Sequence, residues 1–150
     1  MRAVIQRVSH AAVSIDKHEK ARIKNGLLIL LGIEEADSAD DLEWLSGKIS
    51  RLRIFRDGKG IMNLSLSEVE GEALVVSQFT LHASTKKGNR PSYVKAARPE
   101  KAIPLYDQFV NQLSKDLGRT VASGEFGAYM QVELLNDGPV TIIIDTKTRE

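Results

Sequence analysis

Two uninterrupted apolar runs, residues 27–31 (Leu-Leu-Ile-Leu-Leu) and residues 73–76 (Ala-Leu-Val-Val), limit the fold more than any other feature of this chain. Successive strand side chains point to opposite faces, so a strand that is apolar at every position needs cover on both sides. Both runs therefore read as central strands. The longer one is still far too short to span a bilayer. The cover comes from two stretches with helical periodicity. Ser38 reads as an N-cap, with Asp40 and Asp41 over the positive end of the dipole and Leu42, Leu45, Ile49 and Leu52 as a buried stripe. The second helix turns Leu105, Phe109, Leu113 and Leu117 inward and stops at Gly118. Its start is open, because Pro99 and Pro104 each suit a first turn.

The remaining strands are read from alternation and turn chemistry. Residues 2–8 and 11–16 alternate, with Val4, Val13 and Ile15 inward and Arg7 and His10 interrupting the pattern. Asn25-Gly26 suggests a type I′ turn joining 21–24 to 27–33 as a hairpin. Asp57-Gly58 and Gly60 mark a turn, residues 63–67 a short exposed segment, and 72–81 a strand. Residues 129–135 and 139–145 read as strands flanking an Asn136-Asp137-Gly138 turn, with 146–150 fraying. The expected fold is α/β: a mixed, strongly twisted, barrel-like β-sheet with two main helices. Strand order is not legible.

Composition bounds the chemistry. At 150 residues and 42% hydrophobic, the chain can build one core, and one domain is expected. With no cysteine, a disulfide, a thiolate nucleophile and a cysteine-ligated zinc are excluded, and a cytoplasmic setting fits. The first residues lack the apolar segment of an export signal, so a soluble, unprocessed protein is expected. The 21 Lys+Arg against 20 Asp+Glu neither demand nor exclude nucleic acid. Only local clustering informs, and it occurs at 84–98, where Lys86, Lys87, Arg90, Lys95 and Arg98 surround Tyr93. That stretch is either a solvated loop or one that holds phosphates, with Tyr93 stacking on a base.

Few constellations carry reactive chemistry. Thr80 and His82 leave one strand face together, as a nucleophile and base would, but His82 also reads as a surface or loop-edge residue. His10, His18 and His82 share no ligand spacing, so no metal and no cofactor is expected. Asp57-Gly58-Lys59-Gly60 is a turn and lacks the parts of a phosphate loop. Two polar stretches remain, each where a buried strand ends. In Ser77-Gln78-Phe79-Thr80-Leu81, hydroxyl, amide and free N–H groups suit a developing oxyanion, or simply end a strand. Asn136-Asp137-Gly138-Pro139-Val140-Thr141 contains the one kind of peptide link that is cis at a modest cost of about 0.5–1 kcal/mol, or else forms an ordinary hairpin turn. The two stretches are expected to meet in space.

This pair of motifs resembles the signature pair of the D-aminoacyl-tRNA deacylases, and the likeness covers essentially the whole chain. Residues 1–8, Lys87-Gly88-Asn89-Arg90-Pro91-Ser92 and Met130-Gln131-Val132 are similar to family segments in the same order. The resemblance implies a single deacylase domain over 1–150, a homodimer with active sites at the subunit interface, and aminoacyl-tRNA as the partner, engaged through its 3′-terminal adenosine and acceptor end. It implies Gln78, Phe79 and Thr80 as the catalytic residues. It also implies Gly138 and Pro139, joined cis and inserted from the other subunit, as a chiral gate that Arg7 supports. It makes Ser77, Lys87, Arg90, Tyr93 and Met130 candidates for pocket or tRNA contacts. Ser84 departs from relatives that carry an acidic residue there, which bears on tRNA contacts rather than on the pocket.

The implied reaction is hydrolysis of the ester joining a D-amino acid, or glycine, to tRNA. Mirror-image substrates offer the same groups in different directions, so exclusion discriminates better than attraction. Thr80 either attacks directly or positions a water assisted by the adenosine 2′-hydroxyl. The alternatives are a related editing enzyme for a small L-amino acid, which goes with a trans Gly-Pro arrangement, and a non-catalytic RNA-binding dimer.

Overall fold

The computed structural model describes residues 1–149. The first two expected strands are one: β1 runs unbroken over Arg2–Ile15. Its alternation falters because the register against its neighbour shifts between Gln6 and Val8 and again between Val8 and His10. The shift exchanges faces. Ala3 and Ile5 join one apolar core, whereas Val8, Ala11 and Val13 join a second.

β2 (His18–Ile23) returns along β1 through Asp16 and Lys17, at φ 49° and 65°. Positive φ at both central residues is what a two-residue type I′ turn demands. β3 (Gly26–Gly32) pairs with the first half of β1, over Arg2 to Val8. The expected hairpin between 21–24 and 27–33 is therefore corrected: β2 and β3 each pair with β1. Gly26 serves another purpose, since a Cβ there would lie 1.8 Å from the Glu72 carbonyl oxygen. It lets two backbones approach closely.

Beyond β3, the helix α1 (Ala39–Ser50) is followed by the small pair β4 (Phe55–Arg56) and β5 (Met62–Leu64). The 63–67 segment is not simply exposed, because Leu66 is wholly buried. β6 (Glu72–Ser77) then pairs parallel with β3, and after α2 (Pro99–Leu117) the short β7 (Ala122–Ser123) pairs parallel with β6. Both apolar runs are thus central, as expected. Leu27, Ile29, Leu31, Ala73 and Val75 face the helices, and Leu28, Leu74 and Val76 face the interior of the curled sheet. Pro99 opens α2, Pro104 lies inside it, and Gly118 closes it at φ 66°. The Tyr106 hydroxyl donates to the Val75 carbonyl at 2.9 Å, tying α2 to β6, and burial pushes its phenol up to about 12. No helix among the described residues is long and apolar enough to cross a membrane.

β8 (Met130–Asp145) overturns a second hairpin. The two segments expected on either side of a turn are collinear and pair antiparallel with β1 along its whole length, from Arg2 opposite Asp145 to Ile15 opposite Met130. Residues 137–140 bulge out opposite Arg7.

Fraying of 146–149 is also corrected, and Glu150 lies outside the described residues. Thr146 is buried, and its hydroxyl accepts from the Met1 ammonium at 2.7 Å. The same ammonium is paired with Asp37, itself buried, whose other carboxylate oxygen accepts the Glu34 N–H at 2.8 Å. Lys147 reaches Asp41 at 2.7 Å, and the Arg149 guanidinium lies 4.5 Å over the ring of Trp44. Burial alone would raise the Asp41 carboxyl. Hydrogen bonds from Lys147, Thr146 and the Ser38 N–H outweigh it and hold the group well below the usual range. Asp145 is likewise lowered, by the Lys147 N–H and Arg2 against burial.

A carboxylate depressed in the fold stabilises it above the ordinary Asp value and loses that contribution as pH falls through the folded value. Acid titration from about pH 4 downward is therefore expected to release the tail first, as the Asp41 and Asp145 contacts protonate. Emission from Trp44, the one tryptophan of the chain, reports it. A tail signal that changes only together with global unfolding would refute this order.

Candidate active site

β6 stops at Ser77, four residues earlier than expected. The Gln78 N–H makes a ladder bond to the Leu31 carbonyl at 2.8 Å, and the chain then coils into a 3₁₀ turn over Phe79–His82. Within it Leu81 N–H reaches the Gln78 carbonyl and Ala83 N–H the Thr80 carbonyl. The N–H groups of Phe79 and Thr80, at the start of the turn, have no acceptor inside it. The Gln78 side-chain amide donates to the Thr80 hydroxyl. His82 is not a surface residue: it is 3% exposed, and its Nε2 is buried without a hydrogen-bond partner.

A cleft of about 260 Å³ opens at this strand end, walled by Ser77, Gln78 and Phe79 on one side and Phe126, Tyr129 and Met130 on the other. Phe79 is half exposed and meets Tyr93 edge-to-face, with ring centroids 5.1 Å apart at 73°. Phe126 and Tyr129 were missed in the sequence. The available signal was two aromatics around Gly127, which sits at φ 79°. Thr80 lines a neighbouring opening with Arg2, Leu81 and Ile143. Lys87 and Arg90 stand exposed on a loop closed by reciprocal Ser84–Ser92 backbone bonds, and they line neither opening.

The second motif forms the bulge in β8. The Asn136 amide spans its neck, donating to the Arg7 carbonyl at 3.1 Å and the Val140 carbonyl at 3.0 Å. Arg7, 3% exposed, props the bulge from beneath: Nε donates to the Asp137 carbonyl at 3.1 Å and Nη1 to the Ile54 carbonyl at 2.6 Å. The Asp137 carboxylate lies 3.3 Å from Nε. Gly138 sits at φ 129°, and a Cβ there would meet Arg7 Nη2 at 2.7 Å, so the position has both a backbone and a space reason to be glycine. The Gly138–Pro139 peptide is cis.

Within one chain the two motifs do not meet. Ser77 lies opposite Leu31 and Leu31 opposite Ala3, whereas the bulge is opposite Arg7 on the other edge of β1. Four residues along the strand and three strand spacings across put them on the order of 20 Å apart.

The chain's residues 4–145 match the family model described as D-Tyr-tRNA(Tyr) deacylase. The chain belongs to that deacylase family. A D-aminoacyl-tRNA deacylase of Bacteroides fragilis is 67% identical over 150 residues, covering 100% of both chains. One of Flavobacterium johnsoniae is 57% identical over the same span. Among solved structures, one named c-Myc DNA Unwinding Element Binding Protein superposes with a TM-score of 0.92 at 41% identity, over 97% of this chain and 98% of that one. A probable eukaryotic D-amino acid tRNA deacylase shares the fold, with a TM-score of 0.80 at 18% identity over 95% and 97% of the two chains. As a member of the deacylase family the chain is an enzyme, a hydrolase of the aminoacyl-tRNA ester class. Its barrel-like mixed sheet with two helices is the family's architecture.

Proposed function

We propose that this deacylase cleaves the ester between a D-amino acid and the 3′-terminal adenosine of tRNA, releasing both, as a cytoplasmic homodimer in which each copy completes the other's site. The observation that carries the reading is the separation of two motifs within one chain: an open cleft at Gln78 and Phe79, with Thr80 in the opening beside it, and a propped bulge at Gly138 and Pro139 on the other edge of β1. A second copy would bring one to the other. β8 supports this, because among the described residues it pairs only with β1 and leaves Leu135 and Ile143 exposed.

In this reading the Gly138 and Pro139 backbone is a wedge that receives the α-ammonium and collides with an L side chain. Glycine, with no side chain, passes. Any group fixed on the opposite hand is tolerated, which suits a site for many D-residues. The Phe79 and Thr80 N–H groups face the developing oxyanion, where one such donor is worth about 3 kcal/mol. Thr80, bonded by the Gln78 amide and by no base, orients a water that the adenosine 2′-hydroxyl assists. Ser77 and Met130 shape the cleft, and Tyr93 backs Phe79.

The test is incubation of the pure protein with D-tyrosyl-tRNA and, separately, with L-tyrosyl-tRNA. Tyrosine release from the D-ester alone is expected, and equal release from both removes the wedge. The DNA-binding name of the 41%-identical structure favours a second reading, a nucleic-acid binder without catalysis. Binding with release from neither ester would support that one.

A further inference from the structure

We propose that a second, cationic cleft beside the 3₁₀ turn holds a backbone phosphate of the tRNA acceptor end. This rests on the tRNA reading above and names a subsite for it. The cleft, about 400 Å³, is lined by Arg2, Glu34, His82, Ser84, Lys86 and Lys95. Arg2 also lines the opening that contains Thr80, so the two spaces share a wall. Thr80 in one space and Ser84 in the other are four residues apart, with the end of the 3₁₀ turn between them.

The lining is built for a monoanion. Arg2 uses Nε and Nη2 on Asp145 and Nη1 on the Leu81 carbonyl. A guanidinium has five N–H donors, so two remain unengaged, on a side chain 38% exposed. Lys86 lies inside the loop that the Ser84–Ser92 bonds close, and Lys95 follows just beyond it. Neither makes an ion pair with a described residue. Asp145 offsets Arg2 and Glu34 offsets one lysine, which leaves a single net positive charge, apart from His82, to match one phosphodiester. His82 backs the cleft with a buried imidazole, and Ser84 adds a hydroxyl donor. Lys87 and Arg90, by contrast, line none of these three clefts and offer only diffuse attraction.

The experiment compares wild type with the double variants Lys86→Ala/Lys95→Ala and Lys87→Ala/Arg90→Ala. All are loop changes that leave the core intact. Binding of uncharged tRNA and of adenosine is measured by titration across a salt series. The cleft variant is expected to weaken tRNA binding about tenfold more than adenosine binding. Its log Kd against log salt slope should fall by about 0.7, the contribution of one single-strand phosphate. Equal losses in the two double variants, or equal losses for tRNA and adenosine, would overturn the subsite. The expected pattern across the variants, together with a wild type that releases no tyrosine from D-tyrosyl-tRNA, would support the subsite and defeat the activity reading instead.

Discussion

Replacing Arg7 by Ala is expected to lower kcat/KM on D-tyrosyl-tRNA by about 100-fold, or roughly 2.7 kcal/mol. The side chain is buried beneath the bulge and holds the Asp137 carbonyl on one side and the Ile54 carbonyl on the other. Removing it strips a donor from two carbonyls at once and takes away the atoms against which Gly138 rests. Each buried unpartnered group costs about 1–3 kcal/mol, so stability should fall by roughly 3 kcal/mol as well. The Asp137 carboxylate is half exposed and adds little to that figure. Arg7→Lys separates charge from geometry. An ammonium cannot span both carbonyls, so most of the activity loss should persist although the charge is kept. Deacylation assays and urea denaturation measure the two effects. An Arg7→Ala enzyme that turns over normally would mean that the bulge needs no prop, or that it takes no part in catalysis.

The largest loss of stability is expected at Asp37, which touches nothing in the cleft. Its carboxylate is the counter-charge of the Met1 ammonium, and both groups are buried. Asp37→Asn keeps the shape and removes the charge, leaving an uncompensated cation, which costs about 3–5 kcal/mol. For a chain of this size that is a fall in Tm of roughly 10–15 °C. Lys147 Nζ, 3.6 Å from Asp37, loses a partner too, but it is partly exposed and also held by Asp41. Calorimetry on the variant checks the figure. A loss below about 1 kcal/mol would show that water reaches the ammonium.

The sheet interior was legible because residues 27–31 and 73–76 are apolar on both faces, a pattern that depends on the strand alone. What failed depended on distant partners. Asn25-Gly26 has the composition of a turn, yet Gly26 is there for Glu72, forty-six residues away, while the actual two-residue turn at Asp16-Lys17 contains no glycine. Asn136-Asp137-Gly138 reads as a hairpin turn because turn and bulge use the same residues, and only pairing of both flanks with β1 decides between them. Thr146 and Lys147 look like a loose tail because Met1, Asp37 and Asp41, which hold them, are over a hundred residues away. At the site, Gln78, Phe79 and Met130 line one cleft, but Phe126 and Tyr129, on its opposite wall, belong to no motif.

The collinear pairing of β8 has a consequence for how this protein can change. Strand register is fixed twice, once from Arg2 to Gln6 and once from His10 to Ile15, so neither flank relies on the residues between to stay aligned. The excursion at 137–140 is consequently an exchangeable part mounted on a rigid rail. Substitutions there can reshape the excursion while the scaffold that carries it keeps its alignment.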